Sequence, residues 1–145
     1  MSENEQASTS NPADNWLKWY LQFVGAVTLL AFAAAVMPES WMIHIAWWLG
    51  IDPFPRDPLT FYLARNLAVL YGFVGVGVLV LAANLDRYRD LVGLLAIGTM
   101  VFGVAQLIVN AQSGLPWWWT LGEGGSTIFG GVVMRWLYQQ SGYSS

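Results

Sequence analysis

The side chains equipped to do chemistry in this sequence are few, and two of them are charges set inside long apolar runs: Arg65 and Glu123. Each stands seven residues past a proline, Pro58 and Pro116, that opens its run. On a helix rising ~1.5 Å per residue, both lie roughly 10 Å below the same end. Gln106 and Asn110 approach that level from the opposite direction and share a helix face at i, i+4. Asn66, Thr120 and Thr127 complete a polar set at one end of an otherwise apolar protein, with Thr120, Glu123 and Thr127 on one stripe.

A charge near the middle of a membrane helix costs on the order of 2.5–3.5 kcal/mol, and less when it is paired or near water. Opposite charges at matched depth therefore predict an Arg65–Glu123 pair, with Asn66, Gln106 and Asn110 meeting the remaining donors and acceptors. Such a constellation has three uses. It is a buried pair that fixes helix register, a pocket for the polar end of a lipid, quinone or other amphiphile, or a proton-transfer site built on Glu123. Burial favours an uncharged Glu123 and a neighbouring Arg65 a charged one, so the two effects oppose each other in the third use.

Other chemistries are excluded by composition. The chain has no Cys and one His, His44, which removes thiolate chemistry and leaves no set of metal ligands, so neither a metal nor a cofactor is expected. Six Lys and Arg in 145 residues, with a net charge of -3, provide no basic surface for nucleic acid. With 56% hydrophobic and only 10% charged residues, the expected surroundings are lipid.

The elements that must position these residues follow from the charge-free runs. Residues 1–15 are polar and aperiodic, and are expected to be a disordered tail. The domain, 16–140, is all-α: a four-transmembrane-helix bundle with spans at about 16–37, 59–85, 91–112 and 116–138. Ala33 to Ala35 also resemble a signal-cleavage region, but the segment before the first span is acidic where a basic one is expected. Between spans one and two, 39–51 is too short to cross and is expected to lie in the interface, with Trp41, Trp47 and Trp48 at headgroup level and His44 as an interfacial polar residue. Asp57 and Pro58 start the second span. The charged turn Asp86–Asp90 joins the second to the third. Trp117, Trp118 and Trp119 mark a second interface. Lys18, Arg87, Arg89 and Arg135 against Arg56 and Arg65 favour both termini in the cytoplasm. Small residues should form the packing seams: Gly72 and Gly75, then Gly93, Gly98 and Gly103, then Gly122, Ser126 and Gly130.

The segments DPLTFYLAR (Asp57–Arg65) and LPWWWTLGEG (Leu115–Gly124) resemble small four-span membrane proteins found widely in bacteria. The resemblance implies a bacterial inner-membrane location, with Arg65, Trp117 to Trp119 and Glu123 as the signature. It implies no activity. Where that pattern places a proline after Gly-Glu-Gly, this chain has Gly125. The general shape is also similar to DoxX-like and sterol-isomerase-like four-helix membrane folds, whose acidic motifs are not found here; likeness of fold carries no function.

Two classes of function remain. One is a non-enzymatic membrane protein, binding a lipid-like ligand through Arg65, Glu123, Asn66, Gln106, Asn110, Thr120 and Thr127, or serving as a subunit beside a membrane protein partner. The other is a membrane enzyme on an amphiphile with Glu123 as acid or base, or a small proton-coupled exporter.

Overall fold

The computed structural model describes residues 12–51 and 53–142. These form helices and short connections, with no strand among the described residues. Helix α1 spans Pro12–Leu29. Most of the expected polar tail lies outside the described residues, but 12–15 are helical, which moves the start of the first helix ahead of the expected boundary. Two local causes are visible. Proline suits a first helical position, and Asp14 in the first turn favours the positive end of the helix dipole and pairs with Arg89 at 3.3 Å.

At Leu30 the helix tightens. The Leu30 N–H is shared between Ala26 O at 3.3 Å and Val27 O at 3.2 Å, while the Thr28 hydroxyl takes Val24 O at 2.8 Å, a local competition that bends helices. The backbone at Leu30 stays helical, and α2, Ala31–Ala35, continues the run. Pro38 then precedes α3, Glu39–Trp48. Helix α4 is Pro58–Ala83, with Asp57 O accepting the N–H of Thr60 at 3.0 Å as the first turn forms. Helix α5 is Arg89–Gln112 and α6 is Trp117–Gly142.

Two glycines end helices by the same device. Gly50 (φ 73°) and Gly114 (φ 68°) adopt the left-handed conformation that a Cβ disfavours. After α3, Gly50 N–H bonds Trp47 O and Ile51 N–H bonds Ala46 O, both at 2.9 Å. After α5, Gly114 N–H bonds Ala111 O and Leu115 N–H bonds Asn110 O, at 3.5 and 3.4 Å. This double closure satisfies carbonyls that the helix end leaves open. It also turns the chain sharply from α5 into α6.

Three stretches are long and apolar enough to cross a membrane: Pro12–Ala35, Pro58–Ala83 and Arg89–Gln112. Only 17%, 28% and 22% of their most apolar windows are buried within the chain, so most of this hydrocarbon-like surface faces outward, where lipid suits it and water does not. Helix α6 has 26 residues, roughly 39 Å at ~1.5 Å per residue, but it carries Glu123 and Arg135 and does not reach that apolarity.

The chain divides into two compact units. In the unit Gln22–Val80, α1 and α2 run antiparallel to α4 and approach it through glycine. A Cβ on Gly75 would stand 2.6 Å from Leu29 N and 2.9 Å from Gly25 O. One on Gly72 would strike the Phe32 ring at 2.6 Å, a ring that meets Phe73 edge to face at 5.4 Å. In the unit formed by Met1–Leu21 and Leu81–Ser145, α5 and α6 pack antiparallel along their lengths. Gly93 faces Tyr138, Gly131 faces Ala96 and Met100, and Gly103 faces Gly124 and Ile128. Leu17, Leu21, Val92 and Ala96 are fully buried in this unit. Its open end is tied by Arg89, which bonds Asp14 at 3.3 Å and Ser141 Oγ at 2.7 Å.

The small-residue seams are partly relocated. On α6 the tight positions are Gly124 and Gly131, not the expected Gly122, Ser126 and Gly130: Gly122 has open space where a Cβ would go, Ser126 is exposed, and Gly130 meets only the Tyr20 hydroxyl. That hydroxyl donates to Gly130 O at 2.7 Å. Gly98 on α5 is likewise open, whereas Gly93, Gly103, Gly72 and Gly75 pack as expected. The spacing between Gly124 and Gly131 is two turns of helix, which keeps them on one face. Substitution separates the two kinds of glycine. Gly75→Ala and Gly103→Ala are expected to lower stability by about 1–3 kcal/mol because backbone atoms must move. Gly77→Ala and Gly98→Ala, with nothing nearby, should leave it unchanged or raise it by up to about 1 kcal/mol. Thermal unfolding of the detergent-solubilised chain distinguishes these outcomes.

Candidate functional site

The polar centre of the α5–α6 pair is the Glu123 carboxylate. Gln106 Nε2 donates to Oε1 at 3.2 Å, and Asn110 Nδ2 donates to Oε2 at 2.9 Å. The indole Nε1 of Trp119 donates to the same Oε2 at 3.1 Å. All three donors are neutral. They come from both helices: Gln106 and Asn110 stand one turn apart on α5, and Trp119 stands one turn before Glu123 on α6. Asn110 is 8% exposed, deep enough that its amide depends on this partner.

Two threonines frame the group. Thr127 Oγ1 donates to the Glu123 carbonyl at 2.9 Å, and Thr120 Oγ1 to Pro116 O at 3.3 Å. Their hydroxyl protons are spent on the helix backbone and their oxygens remain acceptors. The site also holds an orphan: Gln106 Oε1 is buried and has no hydrogen-bond partner. A buried acceptor left unmatched costs about 1–3 kcal/mol, so this atom marks a place where the site is incomplete.

Of the expected site residues, Gln106, Asn110 and Glu123 meet, with Thr120 and Thr127 beside them on α6. Arg65 and Asn66 belong to the unit Gln22–Val80 and have partners within it. The Arg65 guanidinium lies 3.7 Å from Glu39 and donates to Met37 O at 3.4 Å. Within its own unit each charge thus has its own arrangement, ionic at Arg65 and built on neutral donors at Glu123. The side chains of Arg65 and Glu39 are 40% and 54% exposed, and a pair so open contributes at most about 1 kcal/mol. Asn66 is exposed and donates to Tyr62 O of its own helix at 2.9 Å. Trp119 was expected as an interfacial anchor only. The signal for its further role was present in the sequence, since Trp119 and Glu123 are separated by one helical turn and therefore share a face.

The remaining indoles are outward. Trp41, Trp47, Trp48 and Trp117 are each more than 60% exposed, and Trp118 is 42% exposed. Within the unit Gln22–Val80 a separate cleft of 300 Å³ is lined by Ser40, His44, Trp47, Phe54 and Arg56 among others. His44 and Trp47 stack at 5.9 Å along its wall. No group of three or more His, Asp or Glu placed to hold a metal exists among the described residues. Helix α6 begins at Trp117 and runs through Gly122, Gly124 and Gly125 without interruption.

Comparison with known protein families, curated proteins and solved structures finds no match to this chain. The geometry alone therefore carries the functional reading. Removing one donor tests whether the network is under tension. Asn110→Ala strips Glu123 of its shortest bond and is expected to cost about 1–3 kcal/mol. Asn66→Ala, whose amide is exposed, should stay within about 0.5 kcal/mol. Paired thermal unfolding measurements in one detergent check both values.

Proposed function

We propose that the chain is a four-span membrane protein that binds a lipid-like amphiphile at Glu123, acting as a binding protein and not an enzyme. The observation that carries this reading is the incomplete polar site inside an apolar helix pair: a carboxylate held by three neutral donors, with the buried, unpartnered Gln106 Oε1 beside it. Intramembrane ionisable residues are costly and mark functional positions. A polar end group within an apolar surround matches the division of an amphiphile into head and tail. Acid–base catalysis asks for more, since Glu123 has no second carboxylate, His or Lys among its hydrogen-bond partners to complete a proton circuit.

The fourth span rests on packing. Helix α6 follows α5 from Glu123 opposite Asn110 to Tyr138 opposite Gly93, so a membrane-crossing α5 carries α6 across with it. The cost of Glu123 is offset by bonds to α5, and Arg135 lies near the far end of α6, 5.4 Å from the Tyr138 ring. We place both termini in the cytoplasm of a bacterium, with the chain in the inner membrane, on the distribution of Lys18, Arg87, Arg89 and Arg135 against Arg56 and Arg65. The short α3 and its exposed Trp41, Trp47 and Trp48 belong at the outer interface in this arrangement, and Trp117 and Trp118 with them.

The chain has no cysteine, so single introduced thiols report topology cleanly. In spheroplasts, Ser113→Cys should react with an impermeant maleimide from outside, and Asp86→Cys and Gln139→Cys only after lysis. Labelling of Gln139→Cys from outside would remove the fourth span. Ligand binding is checked by native mass spectrometry of the chain released gently from its own membrane: one small amphiphile per chain on the wild type, lost on Glu123→Ala with the fold retained, is the expected result. A bare mass from every preparation would refute the binding role.

A further inference from the structure

We infer that the head group received at Glu123 is a protonated amine carrying N–H donors. This rests on the reading of Glu123 as a binding site and adds the class of ligand. A carboxylate offers about four acceptor positions. Asn110 and Trp119 occupy those of Oε2, and Gln106 occupies one of Oε1, which leaves one vacant on Oε1. The carbonyl oxygen of the same Gln106 amide is buried with nothing bound. The hydroxyl protons of Thr120 and Thr127 are already committed to backbone carbonyls, and so is the single N–H of Trp119 to Glu123. The site leaves two acceptor positions open, on Glu123 Oε1 and on Gln106 Oε1, beside the second N–H of each amide.

Charge points the same way. Glu123 brings a formal negative charge, and its three side-chain partners bring none. A head group that supplies both missing properties has N–H donors and a positive charge, which describes an alkylammonium. A quinone brings no positive charge, and a fatty-acid carboxylate adds a second negative one. A quaternary ammonium has the charge but no donor. An alcohol has a donor but no charge. Each alternative lacks one property that the site requires.

The test uses the full chain in phosphatidylcholine nanodiscs, a host whose head group has no N–H. Four amphiphiles of one chain length are added in turn: octadecylamine, octadecyltrimethylammonium, octadecanol and octadecanoate. Native mass spectrometry reads the amount retained per chain. Octadecylamine should be retained at least about tenfold more strongly than each of the other three, the difference made by one charge-assisted hydrogen bond. Glu123→Gln, which keeps the shape and removes the charge, should erase this preference. Gln106→Leu, which removes the orphan acceptor together with the amide donor to Oε1 and leaves the charge, should reduce octadecylamine retention several-fold and leave octadecyltrimethylammonium unchanged, and so guards against a Glu123 variant that fails to fold. Equal retention of amine and alcohol, or of amine and trimethylammonium, overturns the assignment of a protonated amine while leaving Glu123 a binding site. Retention of none of the four, with a bare mass from native membranes, overturns the binding role as well.

Discussion

The fold of the α5–α6 pair depends on keeping one carboxylate supplied with hydrogen bonds in apolar surroundings. Glu123 has no access to a neutralising cation among its partners, so its oxygens are met by an amide from Gln106, an amide from Asn110 and the indole of Trp119. Two of those donors belong to the neighbouring helix, and their reach fixes the register of one helix against the other. Once Asn110 and Glu123 are opposed, the antiparallel geometry brings Gly103 to Gly124, Ala96 and Met100 to Gly131, and Gly93 to Tyr138. Glycine at these positions lets the backbones approach closely enough for amide side chains to span the gap. The sharp Gly114 turn after α5 serves the same end, because the Leu115 N–H bonds the carbonyl of Asn110 itself.

A different solution to the same problem operates in the unit Gln22–Val80. Arg65 is balanced by Glu39 and the carbonyl of Met37 at the point where the chain leaves α2 for α3. An exposed ion pair of this kind contributes little to stability. It does not define a pocket, and the cleft in this unit forms instead around α3 and the segment that follows, between His44, Trp47, Phe54 and Arg56. The two polar arrangements thus differ in kind. One is ionic and near a chain turn; the other is part-buried, neutral in its donors and short of a partner.

Much of this was legible in the sequence. Pro58 and Pro116 marked helix starts because proline suits the first turn, and Gln106 and Asn110 stood out because amides are rare in apolar runs and these two share a face. Counting rise per residue placed Arg65 and Glu123 at one depth, but depth does not name the partners each finds within its own unit, which for Glu123 are Gln106, Asn110 and Trp119. Glu39, in the first turn of a short helix, offered Arg65 a partner within its own unit. The seam of α6 was obscured for a related reason. Gly122, Gly124, Gly125, Gly130 and Gly131 surround that helix with small residues, so spacing alone cannot select a face; the contacts of Leu107 and Met100 with Gly124 and Gly131 do. Trp119 was hidden by its neighbours, since three consecutive tryptophans read as an interfacial belt although only one has its N–H directed at a carboxylate.

The central claim, that an amphiphile places its head at Glu123, is tested most directly by photocrosslinking in a bilayer. A long-chain primary amine carrying a diazirine next to the nitrogen would be irradiated with the full chain in liposomes and the adducts mapped by peptide sequencing. Adducts are expected in residues 106–110 and 119–127, suppressed by excess unlabelled amine. Adducts confined to the α3 cleft, at residues 40–56, would contradict it and place the binding site in the other unit.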